Sequence, residues 1–236
     1  MIKVNEPVRT FPMVRHSYSA MNTFETCPRM YEAQYITGEI KFVSNEATDY
    51  GTVVHKAIEN LFKHGTELPP EFEIYKSVTD GVTKLTKTAT NVLVEFQMAL
   101  DIDKQPCNFD DLDCWVRGIA DLVIIKGNSA IILDWKTGKM RPSHDQMILM
   151  SLMLFEHFQH LVSIHSSLVW LKVSQLTKLN MYRNSMKSMW MKWEDRYIKL
   201  AKAVHDNKFP MQPNGLCKGW CGLTTCTNWS PKQERY

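Results

Sequence analysis

The pair Asp134 and Lys136, with Asp121 shortly before it in the chain, brings two carboxylates and an amine into one short stretch, Arg117–Lys139, RGIADLVIIKGNSAIILDWKTGK. Two carboxylates held close together repel each other unless a cation sits between them. Oxygen ligands of this kind suit Mg²⁺ or Mn²⁺. Taken alone, the trio fits any hard-metal site or a solvated charge cluster.

What brings the three together is a hairpin. Arg117–Ile125 and Ala130–Trp135 are apolar runs rich in Val and Ile, separated by Gly127-Asn128, a pair suited to a two-residue turn. With the turn centred between those two residues, strand partners have numbers that sum to 255, so Asp121 stands opposite Asp134. Directly opposed side chains have Cβ atoms roughly 4.5–5.5 Å apart. Lys136, two residues on from Asp134, shares its face.

The remaining chain supplies helices to flank such a hairpin. Residues 1–16 read as loose. Ser17–Tyr35 reads as two amphipathic helical pieces, with Ser19 as N-cap and a break or restart at Pro28. Gly51–Gly65 is helical, with His55 beside Val54 on its apolar stripe; a lone helical histidine is most simply a packed or surface residue. After Pro69-Pro70 a helical pattern over Val78–Leu100 contains Glu95, read there as a solvated helix position. The acidic, Pro-interrupted stretch 101–114 reads as a loop or an irregular strand leading to the hairpin. A helix follows from Ser143 to about His160, with a capping box from Ser143 to Gln146. His157 and His160 are spaced to clip a metal, but no carboxylate or cysteine completes a ligand set. Two strands, about Ser166–Val173 and Gln175–Tyr182, and a helix of about Ser185–Asn207 complete the globular part.

Composition sets bounds. The 236 residues are 44% hydrophobic and 22% charged, with a net charge of +3. That is a globular chain compatible with a polyanionic partner but not marked by one. No run approaches the roughly 18 apolar residues of a membrane span, and the N-terminus lacks a signal peptide's apolar core. The expected location is therefore the cytoplasm, where the six cysteines would not form a disulfide framework. Three of them, Cys217, Cys221 and Cys226, fall in a Pro/Gly-rich tail, 210–229, that cannot sustain helix or sheet. Such a segment points to an organising metal with a fourth ligand from elsewhere: Cys27, with Cys107 and Cys114 as competitors. Three reduced, partly buried thiols are the alternative.

Taken in order, these motifs resemble the RecB-like branch of the PD-(D/E)XK nuclease superfamily, which includes phage exonucleases and CRISPR-adaptation nucleases. SYSAMNTFETCPRMY, GTVVHKAIE, RGIADLVI, ILDWKTGK and DQMILM follow the family's motif order, and the cysteine tail resembles that of its iron–sulfur members. Two features depart from the pattern. Met150 stands where the Gln-x-x-x-Tyr motif has tyrosine, and the tail reads C-x3-C-x4-C rather than C-x2-C.

The resemblance implies an α/β fold, a restriction-endonuclease-like core with a central mixed sheet flanked by helices, over a single domain 1–236. It implies a metal site of His55, Asp121, Asp134 and the Trp135 backbone carbonyl, binding Mg²⁺ or Mn²⁺, with Lys136 and Gln146 completing the catalytic set. In such a site the ion stabilises charge on a phosphodiester and activates water, and Lys136 orients that water or stabilises the developing charge. Arg29, Arg117 and Glu95 are candidates for substrate contact; ion pairs would explain the arginines equally well. Cys27, Cys217, Cys221 and Cys226 would hold a 4Fe–4S cluster, with Zn²⁺ as the alternative. The implied activity is a DNA exonuclease acting on single- or double-stranded ends, in phage or bacterial recombination or repair and alongside recombination partner proteins. An endonuclease of the same fold, or a nucleic-acid-binding protein with a zinc-binding tail, are the competing readings.

Overall fold

In a computed structural model, residues 8, 10–41 and 44–232 are described; the rest of the loose stretch 1–16, residues 1–7 and 9, lies outside them. Six helices and five strands follow in the order α1 (Tyr18–Thr26), α2 (Pro28–Tyr31), α3 (Glu46–His64), α4 (Lys76–Thr86), β1 (Asn91–Leu100), β2 (Val116–Lys126), β3 (Ser129–Lys136), α5 (Asp145–His157), β4 (Ser163–Trp170), β5 (Gln175–Tyr182) and α6 (Met186–His205). Two compact units emerge, one comprising Ser44–Met191 and the other joining the described parts of Lys3–Val43 and Lys192–Tyr236.

The first unit is a mixed α/β layer. Its five strands run in sequence order across one sheet, antiparallel throughout except for the parallel pair β3–β4. A parallel step needs a crossover, and α5 provides it. The β2–β3 hairpin has the register that its turn requires: Leu122 pairs with Leu133 and Lys126 with Ser129. Gly127 sits at φ +57°, a conformation glycine adopts without a Cβ clash.

Alternation along the strands separates two apolar faces. Leu122, Ile124, Leu133, Trp135 and Val169 pack with Val54, Ala57 and Ile58 of α3. The neighbouring positions on β4, Leu168 and Trp170, pack with Met147 of α5. Arg183 donates to the carbonyls of Phe155 and Phe158 at 2.9 and 2.8 Å, so a guanidinium terminates α5.

Two elements differ from the sequence expectation. The helical pattern over Val78–Leu100 is α4 followed by strand β1, so Glu95 lies on a strand. The run NVLVEF carries apolar residues at alternate positions as well as at helical spacing, and pairing with β2 decides between them. At α5, which begins at Asp145, His144 rather than Ser143 holds the N-cap position, and the Gln146 side chain donates to Asp134. Met150, at the motif's tyrosine position, is buried and packs against β2. A Cβ on Gly118 would meet its sulfur at 3.0 Å, so these two residues set the close approach of α5 to β2.

In the second unit, Ser17 rather than Ser19 caps α1, accepting from Ala20 N. Pro28 begins the restarted helix, which continues as a wide π turn over Glu32–Ile36. Trp193 donates its indole N–H to the buried His16 at 3.0 Å, and Arg196 makes a two-pronged contact with Glu25. No helix among the described residues is long and apolar enough to cross a membrane.

Candidate active site

Three strands and two helices of the first unit converge on one group of side chains. Asn45 caps α3, its side chain accepting from Ala47 N and Thr48 N, and three turns later the helix presents His55. β1 contributes Glu95 and β2 contributes Asp121. One ligand atom from each of His55, Glu95 and Asp121 lies within 4.8 Å of the others. His55 Nδ1 is 3.5 Å from Asp121 Oδ2. That same oxygen accepts the Trp135 backbone N–H at 2.7 Å. The β2–β3 ladder accordingly ends at Leu122–Leu133, one rung short of an Asp121–Asp134 pair: the Trp135 amide is spent on the Asp121 carboxylate. The Trp135 backbone, whose carbonyl is expected as a metal ligand, lies near enough to the His55 ring to favour its protonated form.

Glu95 reaches the cluster through an unusual backbone. Its φ is +50°, and the β1–β2 register skips it, passing from Val94↔Leu122 to Phe96↔Ala120. A non-glycine residue in that region is strained by about 1–3 kcal/mol and persists only where its surroundings over-determine it. The break falls where Glu95 and Asp121 would otherwise face each other as a ladder pair of like charges.

Asp134, on β3, is engaged differently. Its Oδ1 accepts from Gln146 Nε2 at 2.6 Å, and its Oδ2 forms an ion pair with Lys136 Nζ at 2.6 Å. Gln146 therefore ties the start of α5 to the carboxylate, and Lys136 sits beside it on the shared face anticipated from strand alternation. The cluster within 4.8 Å is thus His55, Glu95 and Asp121, with Asp134, Lys136 and Gln146 as an adjoining set.

The electrostatics are those of a site with excess negative charge. Burial pushes the Glu95 carboxyl up, and the charges of Asp121 and Glu59 push it further. Burial also raises Asp134, with the Asp121 charge adding to it and Lys136 opposing. For His55, burial disfavours the imidazolium, but the hydrogen bond and charge of Asp121 outweigh it and the histidine titrates above its ordinary value. A divalent cation would relieve all three. One imidazole with carboxylate oxygens and a nearby carbonyl is a donor set that fits Mg²⁺ or Mn²⁺.

The other predicted residues fall elsewhere. Arg117 donates to the Phe109 carbonyl and pairs with Asp110 at 2.8 Å; Arg29, in the second unit, pairs with Glu32 and Glu39. Both arginines are committed to local ion pairs, as the sequence reading allowed. His157 is pushed below its ordinary value by burial and meets the Phe96 ring edge-on. Cys27, Cys217, Cys221 and Cys226 are free, half-buried thiols of the second unit. Cys27 accepts from Gln212 N and Cys217 from Asn214 N, Cys226 lies 3.6 Å from the Met211 sulfur, and Asn214 bonds the Thr26 carbonyl. The tail is thereby drawn onto the Cys27 segment, and backbone N–H groups directed at sulfur suit thiolate ligands. Among the described residues, no three of these sulfurs lie within 4.8 Å of one another. A single tetrahedral zinc needs sulfurs about 3.8 Å apart, from Zn–S bonds near 2.3 Å.

Beside the His55 cluster opens a cleft of ≈ 700 Å³, walled by Thr48, Thr52, Lys56 and Glu59 of α3 and by Thr137-Gly138 after β3. The model of the PD-(D/E)XK nuclease superfamily matches residues 15–226. None of the curated proteins compared with the chain matches it. Among solved structures, the chain is similar to the "Putative exonuclease" of Eubacterium rectale, at 11% identity and a TM-score of 0.52, covering 93% of this chain and 90% of that one. It is also similar to the protein SSO0001, at 11% identity and a TM-score of 0.40, covering 94% and 91%.

Proposed function

The chain belongs to the PD-(D/E)XK nuclease superfamily, and we propose that it is a Mg²⁺- or Mn²⁺-dependent exonuclease that hydrolyses DNA from its ends. The observation that carries this reading is the His55–Glu95–Asp121 cluster, whose His55 and Glu95 line one open cleft, with the Asp134–Lys136–Gln146 set adjoining it. A divalent ion bound there supplies Lewis acidity and a water more acidic than bulk. His55, Glu95 and Asp121 hold the ion, together with the Trp135 carbonyl. Asp134, beside that cluster, keeps Lys136 in place. The Lys136 ammonium, 2.6 Å from Asp134, is positioned to orient water and to offset charge on the phosphate oxygens. Gln146 fixes the Asp134 carboxylate from α5. Lys56, whose ammonium also pairs with Glu59, lines the cleft and presents N–H donors to a phosphodiester there.

In the second unit, Cys27, Cys217, Cys221 and Cys226 are the proposed ligands of a 4Fe–4S cluster that staples the tail to the α1–α2 junction. Its role there is structural. Action on DNA ends in phage or bacterial recombination or repair, in the cytoplasm, is the setting that the resemblance suggests.

Digestion of end-labelled linear single- and double-stranded DNA with Mg²⁺ or Mn²⁺ tests the proposal, with a covalently closed circle as control. Wild type should shorten linear DNA and spare the circle. Asp134→Ala and Lys136→Ala should each lose about 10²-fold or more in rate. Undiminished activity in both variants would overturn the site, and cutting of the circle would make the enzyme an endonuclease.

A further inference from the structure

A second depression lies along β1 and is not needed to hold metal or phosphate. It is a groove of ≈ 540 Å³ between the end of α3, at Phe62 and Lys63, and residues 92–97 of β1. Glu95 lines both the groove and the cleft, so the two adjoin at this residue. The groove's walls combine the apolar residues Phe62, Val92, Val94 and Phe96 with the polar Lys63, Glu95 and Gln97.

Phe62 decides what the groove fits. Its ring lies parallel to that of Trp135, at an interplanar angle of 4° and a centroid distance of 6.1 Å. Trp135 is fully buried, so Phe62 is backed by a fixed aromatic surface, while Phe62 itself is only half-buried and borders the groove. A rigid ring that is packed on one side and open on the other is a stacking platform. Lys63, next to it, is exposed at the rim and can meet a phosphate.

We infer that the groove takes an unpaired nucleobase, stacked on Phe62, from a strand whose phosphodiester crosses Glu95 to the metal cluster. This rests on the nuclease reading and narrows its substrate to a single strand or a frayed end, because a base held in a duplex cannot enter. β1 is also an edge strand, and an extended peptide can pair with such an edge. The left-handed kink at Glu95 breaks the strand in mid-length and disfavours a continuous added ladder, whereas a nucleotide chain tolerates it.

The test compares an intact single-stranded oligonucleotide with one of the same length whose nucleotides are abasic. Binding is measured by fluorescence anisotropy with Mg²⁺ in the Lys136→Ala background, and cleavage is measured in parallel with active Lys136. The intact strand should bind about tenfold or more tighter, the size of one base–aromatic stack. Adding Phe62→Leu should collapse that ratio towards one, while Phe62→Tyr should keep it. Equal binding of the two strands in the parent protein would overturn the inference even if Phe62→Leu failed to fold, and so would an unchanged ratio in a folded Phe62→Leu. Loss of the nuclease reading looks different: neither oligonucleotide is cleaved by wild type, whatever the binding ratio.

Discussion

A glutamate at φ +50° in the middle of a strand is held there against its own backbone preference, and Glu95 is so held where its carboxylate meets His55 and Asp121. The metal role and the substrate-contact role of Glu95 predict different outcomes. If Glu95 is a ligand, Glu95→Gln should raise the Mn²⁺ concentration for half-maximal activity about tenfold or more. If it touches only substrate, KM for DNA moves and the metal requirement does not. The metal-free protein offers a second readout. Burial and the charges of Asp121 and Glu59 raise the Glu95 carboxyl in the folded state, so the folded chain holds a proton that the unfolded chain releases. Stability linked to this group is therefore present below the ordinary carboxylate range and is lost as pH rises through the folded value. Metal-free Glu95→Gln should consequently melt above wild type at neutral pH, with the gap closing towards pH 4. Added Mn²⁺ should stabilise wild type more than the variant.

At the scale of elements, the β2–β3 hairpin and the N-terminal half of α3 do the positioning. Gly127 at φ +57° allows the two-residue turn that sets the register, and a β-branched side chain there is strained. Gly127→Val should cost about 1–2 kcal/mol in urea unfolding, and activity should fall in the variant even where it is fully folded, because the turn sets where Asp121 and Trp135 meet. At the other end of the site, Asn45 caps α3 through two backbone N–H groups. Asn45→Ala should lower stability by about 1 kcal/mol. Gly51 lies close to Thr137, whose hydroxyl would be 3.0 Å from an added Cβ, so the helix and the loop after β3 approach as tightly as this position permits.

For the whole molecule, the distribution of chemistry between the two compact units matters most. The proposed catalytic groups all belong to Ser44–Met191, and the four proposed cluster cysteines all belong to the other unit. A staple in the second unit should therefore affect stability before chemistry. Protein purified without oxygen should be brown with a broad visible absorbance band. Cys27→Ser should remove most of that colour and lower the melting temperature. Colourless protein carrying stoichiometric zinc would replace the iron–sulfur assignment with a zinc site.

Much of the hairpin was legible before any coordinates, since turn chemistry and strand alternation are local. Gly127-Asn128 sets the register, and the period of two places Asp121, Asp134 and Lys136 on a common face. The tail's lack of helix or strand pattern was legible in its Pro, Gly and Cys content for the same reason. What the tertiary structure decided is which distant residues join that face. Glu95 read as a solvated helix position because the apolar residues of Val78–Leu100 satisfy two periods at once; only pairing with β2 made it a strand and a neighbour of His55. The division of labour between the carboxylates was likewise invisible in sequence. Asp121 faces the histidine, and Asp134 is taken up by Lys136 and Gln146, because long-range contacts from α3 and α5, rather than local spacing, determine which partner each oxygen finds.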